Sequence, residues 1–148
     1  MMEKQELYDE LIRRINNPVN FTGRNGIKIK ELKEGYARGE MENTPATQNL
    51  LGGLHGGALA TLADAVCGMA VASLGYARMT IHGTVEYLRV AAPGPVSCEA
   101  KVRKAGKTVV VCESVITDSE GREVTLATFS FMILGDNPLM LDTFLDKK

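Results

Sequence analysis

The spacing of hydrophobic residues divides the first third of the chain into a helix, a hairpin and a loop. Residues 3–15 carry leucine and isoleucine at helical spacing between charges, and Pro18 follows the end of this pattern. From Gly26 to Glu42 apolar residues alternate on either side of Glu34–Gly35, which predicts a two-stranded hairpin. Residues 43–54 are rich in turn-forming residues and predict a loop.

A second helix is predicted to begin near His55. Its sequence, HGGALATLADAVCGMAVASLG, is apolar almost all round, so other structure must enclose it. Four strand-like runs follow, at about 78–90, 95–104, 107–118 and 122–134, with short turn-rich links between them. Because short links favour antiparallel neighbours, we expect these four runs to form a meander with one dry face.

These elements predict an α+β protein, in which one central helix is inserted between strands two and three of a five- or six-stranded antiparallel sheet. No repeat or linker interrupts the 148 residues, so we expect a single domain, with residues 1–20 as N-terminal helix and lead-in and residues 136–148 as a C-terminal tail. One helix covers little of such a sheet, and the run at 78–90 has a polar face. A dimer that completes a site between its subunits is the minimum expectation.

Composition and charge narrow the function classes. The chain is 45% hydrophobic and 24% charged, which is typical of a globular core, and its net charge of -1 argues against nucleic-acid binding. The one long apolar stretch, residues 54–74, contains an aspartate and many small residues, so we expect no membrane association. The N-terminus lacks an apolar signal region, and the three cysteines have neither disulfide nor zinc spacing. We therefore expect a cytoplasmic protein with reduced, buried thiols.

The residues best suited to chemistry are the run NLLGGLHGG at 49–57 and Asp64. The last two glycines of the run open a helix, where unpaired N–H groups and the helix dipole stabilise a developing oxyanion, although tight packing alone would also explain them. Asp64 is the only charge between Glu42 and Arg78, and an unpaired carboxylate in an apolar helix is costly. It is either a structural hydrogen-bond acceptor or a base or nucleophile that faces a carbonyl.

Three other side chains are weaker candidates. His55 suits a base, a metal ligand or an orienting donor, but the second histidine, His82, lies at no ligand spacing from it. Cys67 and Ser73 lack the sequence context of a nucleophile, and core packing is the simpler interpretation of Cys67. No metal site is expected.

Asn49, the run HGGALATLAD from His55 to Asp64, the Thr80-to-Tyr87 strand and KAGKT at 104–108 together resemble the PaaI-type hotdog-fold acyl-CoA thioesterases. The resemblance covers roughly residues 25–134, and its specific part is N-x-x-G-x-x-H-G-G with an aspartate seven residues later. It implies a hotdog fold, in which the sheet wraps around the central helix. It also implies hydrolysis of an aryl- or medium- to long-chain acyl-CoA without a cofactor, coenzyme A being part of the substrate.

The resemblance implies a role for each matching residue. The N–H of Gly56 and the side chain of Asn49 polarise the thioester carbonyl, and Asp64 acts on water or on that carbonyl. His55 orients the loop or the thioester, and Thr80 helps to hold the attacking water. In this family the site straddles a dimer interface, so Asp64 and Thr80 of one chain meet the other three residues of its partner. The resemblance further implies a homotetramer.

Coenzyme A brings phosphates to the mouth of the pocket, and Gly57, Arg89, Lys104 and Lys107 are the expected contacts. Solvated surface charge is the alternative interpretation of the three cations. A non-catalytic acyl-CoA binding or sensing protein would use the same pocket without needing the carboxylate. A hotdog enoyl-CoA hydratase is less favoured, because no aspartate with a histidine about five residues later precedes the sheet.

Overall fold

The computed structural model describes residues 2–139, which form one six-stranded antiparallel sheet with helices against it. The helices are α1 (Lys4–Ile15), α2 (Phe21–Arg24) and α3 (Gly56–Ala72), and a 3-10 turn spans Pro45–Thr47. The strands are β1 (Ile27–Lys33), β2 (Tyr36–Met41), β3 (Ala77–Tyr87), β4 (Val96–Ala105), β5 (Val109–Thr117) and β6 (Glu123–Gly135). The predicted helix, hairpin, loop and four strands are all present, and the predicted tail lies outside the described residues from position 140 onward.

The central helix α3 packs against all six strands. Its small side chains allow this close approach: a Cβ added to Gly39 of β2 would lie only 2.9 Å from Cγ2 of Val66. Leu62, Val66 and Ala70 of α3 are fully buried. The sheet thus encloses the apolar helix as its sequence requires, and the predicted α+β hotdog architecture is confirmed.

The prediction that the last four strands form a meander is wrong for β3, the first of the four. The sheet order is β1-β2-β4-β5-β6-β3, so β4, β5 and β6 form a meander while β3 pairs with β6 at the far edge. Both edges of β4 are occupied, by β2 and β5. The link at 88–95 is longer than a tight hairpin turn, so it can carry the chain from one side of the sheet to the other instead of holding β3 beside β4.

The alternation within the strands is confirmed. In β4, Val96, Cys98 and Ala100 are buried while the residues between them are more exposed. All three cysteines are free, buried thiols, and burial raises the pKa of the Cys98 thiol well above its usual value. Core packing therefore accounts for Cys67, as expected.

The outer edge of β3 has no partner strand within residues 2–139. Large apolar side chains are exposed on and after this strand: Met79, Ile81, Tyr87, Leu88 and Val90. Leu50 and Leu51, in the loop before α3, are also fully exposed. None of the helices within residues 2–139 is long and apolar enough to span a membrane.

Candidate active site

Asp64 and Thr80 form a hydrogen-bonded pair between α3 and β3. The Thr80 hydroxyl donates to Oδ1 of Asp64 over 2.8 Å. Asp64 is half-buried near the middle of α3, and the pairing of β3 with β6 shifts register between Thr80 and His82. The carboxylate therefore has a hydrogen-bond partner, and it is not enclosed in the apolar core. Its position within an apolar stretch of sequence had suggested the opposite.

Two neighbouring cavities adjoin this pair. One has a volume of about 370 Å³ and the other about 240 Å³, and Thr22, Asp64 and Ala65 line both. Apolar side chains, among them Phe129, supply most of the other walls of the first cavity, whereas the second is lined by Arg78 and Thr80 as well as Phe131. A carboxylate beside apolar space of this size is suited to act on a small acyl group.

The N-terminal end of α3 presents backbone donors. His55 caps the helix, and its Nδ1 accepts a hydrogen bond of 2.8 Å from the N–H of Gly57. A neutral imidazole that accepts at Nδ1 carries its proton on Nε2, so the exposed His55 retains a donor. The Gly56 N–H has no acceptor among residues 2–139. This group lies at the positive end of the helix dipole, where an oxyanion is stabilised.

The loop before α3 holds Asn49 in a defined orientation. Its side-chain oxygen accepts hydrogen bonds from the N–H groups of Leu51 and Gly53, at 2.9 and 3.2 Å. Gly52 has a φ of 84°, in the left-handed region that this turn requires. Because the Asn49 oxygen is used locally, its Nδ2 remains as the donor that can meet a ligand.

Within one chain these donors do not reach the carboxylate. Asp64 is eight residues beyond Gly56 in the same helix, a separation of about 12 Å along the axis. The structure therefore brings together Asp64 with Thr80, whereas Asn49 lies in the loop that leads to His55 and Gly56 at the start of α3. The completion of the site by a second chain remains a prediction.

The three cations expected to contact coenzyme A are exposed, but they lie at opposite ends of the sheet. Lys104 ends β4 and Lys107 lies in the turn before β5, close to where β3 begins, because Val109 and Met79 both pair with Met132. Arg89 follows the other end of β3. Within one chain, the three cations therefore do not lie close together.

Sequence reasoning overlooked Arg78 and Tyr87. The Tyr87 hydroxyl donates to the Gly56 carbonyl at 3.1 Å and so holds the start of α3. The Arg78 guanidinium lies against Gly68, one helical turn beyond Asp64, and burial lowers its pKa while the charge of Asp64 raises it. The available signal was the two-residue spacing from Arg78 to Thr80, which places both on one face of the strand.

Comparison with known proteins identifies the family. The model of the thioesterase superfamily matches residues 51–125, about half of the chain, including α3 and β3 to β5. The chain belongs to the thioesterase superfamily. The matched segment contains Asp64 and Thr80 as well as the N-terminal end of α3.

Solved structures and a curated relative agree with this assignment. The PaaI protein of the phenylacetic acid degradation operon of Escherichia coli is 25% identical, with a TM-score of 0.80 over 90% of this chain and 95% of its own. A thioesterase protein of Streptococcus pneumoniae, solved with coenzyme A, is 28% identical, with a TM-score of 0.72 over 75% and 88%. A protein of Saccharolobus solfataricus named as an esterase is 29% identical over 110 residues, which are 73% of this chain and 79% of that protein. The hotdog fold and the thioester hydrolase class are thereby shown.

No group of three or more His, Cys, Asp or Glu side chains within residues 2–139 could hold a metal ion.

Proposed function

We propose that this thioesterase hydrolyses an aryl- or medium- to long-chain acyl-CoA, with Asp64 as the residue that acts on water or on the thioester carbonyl. The observation that carries the proposal is the Asp64–Thr80 hydrogen bond beside an acyl-sized cavity. The similar S. pneumoniae protein, which was solved with coenzyme A, supports the choice of thiol.

A second comparison supports the roles of Asp64 and Thr80. In two further structures of the S. pneumoniae protein, one aspartate and one threonine are each replaced by alanine. These two residues are 16 positions apart, aspartate first, which is the separation of Asp64 and Thr80 in this chain.

The free edge of β3 supports a dimer with shared sites. An unpaired edge strand with exposed apolar side chains is a template for pairing with another copy. Antiparallel pairing of two β3 strands would join the sheets and bring the α3 N-terminus of one chain towards Asp64 of the other. Leu50 and Leu51 would then be covered. We further propose that two such dimers form a tetramer.

In the assembled site the thioester carbonyl lies between the two halves. The Gly56 N–H and Nδ2 of Asn49 donate to its oxygen and stabilise the negative charge that develops there. Asp64, held by Thr80, takes a proton from water as the water attacks the carbon; the C–S bond then breaks, and the proton passes to the departing thiolate. If Asp64 attacks directly, it displaces the coenzyme A thiolate and forms an acyl anhydride; water then opens the anhydride, which releases the acid, restores the Asp64 carboxylate and supplies a proton to the thiolate. His55 orients the thioester through its Nε2 proton.

The pantetheine end leaves the site towards the surface. We propose that Gly57, Arg89, Lys104 and Lys107 contact the coenzyme A portion, the three cations through its phosphates. The proposed antiparallel dimer supports a joint role for the three cations. It would bring the start of β3 in one chain near the end of β3 in the other, so that Lys104 and Lys107 would lie nearer to the partner's Arg89.

The test is thiol release from a panel of aryl-, short-, medium- and long-chain acyl-CoAs. Replacing Asp64 by Asn or Ala should lower turnover by about a hundredfold or more, since general-base catalysis contributes on that scale. Asp9→Asn, the same chemical change at an exposed position of α1, is the matched control and should keep full activity.

Saturable binding of acyl-CoA with no thiol release by the unaltered protein would instead indicate the sensing function. Unchanged turnover in Asp64→Asn would reject Asp64 as the acting residue. A single turnover in oxygen-labelled water tests for the nucleophilic mechanism: a general base places the label only in the released acid, whereas label in the Asp64 carboxylate shows that water opened an anhydride at the Asp64 carbon.

A further inference from the structure

The cavity beside Asp64 adjoins a second space, which residues of α1 and α2 line. This space has a volume of about 360 Å³ and shares Ile15, Thr22 and Arg78 with the cavity that Asp64 lines. Leu11, Met69 and Leu139 add apolar walls. An acyl chain that enters past Asp64 therefore meets the side chain of Arg78 on its way into mostly apolar space.

Arg78 is a cation without a matching anion in this part of the chain. Its Nε donates to the Gly68 carbonyl at 2.8 Å, and its Nη2 lies 3.6 Å from the sulfur of Met69, a weak acceptor. Within residues 2–139 no carboxylate lies within ion-pair distance of it, Asp64 included. A guanidinium has five N–H donors, so most of them remain for a ligand in the cavity.

The Arg78 side chain is half-buried and has no anion beside it among residues 2–139, and this arrangement is energetically costly. Burial lowers the pKa of Arg78, and the opposing influence of Asp64 does not cancel it. Transfer of a charge out of water is expensive unless a partner and hydrogen bonds compensate it. A planar guanidinium is best compensated by a carboxylate, which accepts two parallel hydrogen bonds from it.

We propose that Arg78 binds a carboxylate at the far end of the acyl group, so that the preferred substrates are coenzyme A thioesters of dicarboxylic acids. The inference rests on the proposed acyl-CoA hydrolysis and names its substrate class. In this role Arg78 determines specificity: the carboxylate supplies the missing counter-charge, and the apolar walls accommodate the methylene groups between the two ends.

The positions of the two elements set the length of that acyl group. Gly68 is one turn beyond Asp64 on α3, about 6 Å along the helix. Arg78 is two residues from Thr80 on β3, about 7 Å along the strand. A separation of roughly 6 Å corresponds to about five carbon–carbon bonds of 1.5 Å in zigzag conformation. The adipyl group has that length.

The experiment compares adipyl-CoA with hexanoyl-CoA, which has the same carbon chain without the terminal carboxylate. We expect the unaltered enzyme to have the higher kcat/KM for adipyl-CoA. Arg78→Met should lower the ratio of the two kcat/KM values by about 10- to 100-fold, the usual effect of losing a charge-assisted hydrogen-bonded contact. Arg78→Lys, which keeps the charge but not the planar fork, should lower it less. Thermal unfolding shows whether each variant is folded.

Three results would overturn the inference while leaving the thioesterase function intact: a preference of the unaltered enzyme for hexanoyl-CoA, hydrolysis of other acyl-CoAs but not of adipyl-CoA, or a proportional loss on both substrates in Arg78→Met. The last would show that Arg78 supports Asp64 or the fold. Absence of thiol release from every thioester would instead contradict the proposed function. In that case, the affinities of the protein for adipyl-CoA and hexanoyl-CoA test whether Arg78 binds a carboxylate. Equal affinities would reject this role.

Discussion

A single carboxylate in an apolar helix is tolerated here because of two local features. Asp64 receives a hydrogen bond from Thr80, and the residue lines two cavities. A charged group in such a position is partly solvated when the site is empty, and it loses that water when an acyl group enters. The same environment leaves Asp64 beside the cavities in which we propose that the acyl group binds.

Thr80 gives the residue-scale prediction. Thr80→Val keeps the shape of the side chain but removes the donor to Asp64, so the carboxylate loses its fixed orientation. We expect kcat to fall by about tenfold or more, the scale of one hydrogen bond to a charged group. Thr80→Ser keeps the hydroxyl and should retain most of the activity. Equal activities for the valine and serine variants in a thiol-release assay would contradict this role.

At the scale of elements, the link that carries the chain from β3 to β4 needs an anchor. Asp118, in the turn between β5 and β6, accepts a hydrogen bond from the Ala92 N–H of that link at 3.0 Å. The same carboxylate accepts from the N–H groups of Glu120 and Arg122 and pairs with the Arg122 guanidinium. One side chain thus ties the crossing link to the turn of a neighbouring hairpin.

The pH dependence of stability should report this anchor. Loss of hydration raises the pKa of Asp118, but the N–H groups of Ala92 and Arg122 and the Arg122 guanidinium lower it more, so it lies well below its usual range. A depressed carboxyl pKa adds stability above the unfolded value of about 4, and this stability is lost as the pH falls through the folded value. Asp118→Asn should therefore lower Tm at pH 7 and reduce the fall of Tm on acidification. Parallel Tm curves for the two proteins between pH 7 and pH 3 would disprove this.

At the scale of the whole molecule, the residues proposed for catalysis lie in two separate places within one chain. Asp64 and the N–H of Gly56 are about 12 Å apart on one rigid helix, so no loop movement can bring them together. The exposed row on β3 and the exposed leucines before α3 lie where a second copy would supply the missing half. Activity and assembly are therefore expected to depend on each other.

Mixed dimers test this dependence. Asp64→Asn and Asn49→Ala disable different halves, so a mixed dimer regains one intact site of two. An equal mixture refolded together should recover about one quarter of the activity of the unaltered protein, because about half of the dimers are mixed in a C2 assembly. Asp64→Asn with Thr80→Val, which disables the same half twice, is the control and should show no recovery. Equal results for both mixtures would place the whole site within one chain.

Local patterns in the sequence were enough to predict most of the elements. Alternation fixes which residues of β4 are buried, and the all-apolar sequence of α3 requires enclosure, because both follow from side-chain periodicity. The start of a helix near His55 and the isolated charge of Asp64 are likewise visible without coordinates. These features depend on neighbours in the sequence, so the sequence by itself determined them.

The tertiary structure decided what depends on distant contacts. The place of β3 beside β6, and not beside β4, follows from competition for strand edges, which no local signal records. The short helix α2 was not predicted, since four residues carry too little periodicity, yet its Phe21 and Thr22 line the cavity next to Asp64. In the sequence, Arg78 is an ordinary cation near the start of a strand. In the folded structure, α3 packs over it. Its half-buried position without an ion-pair partner among the described residues exists only after folding, because a helix, a strand and the N-terminal segment meet there.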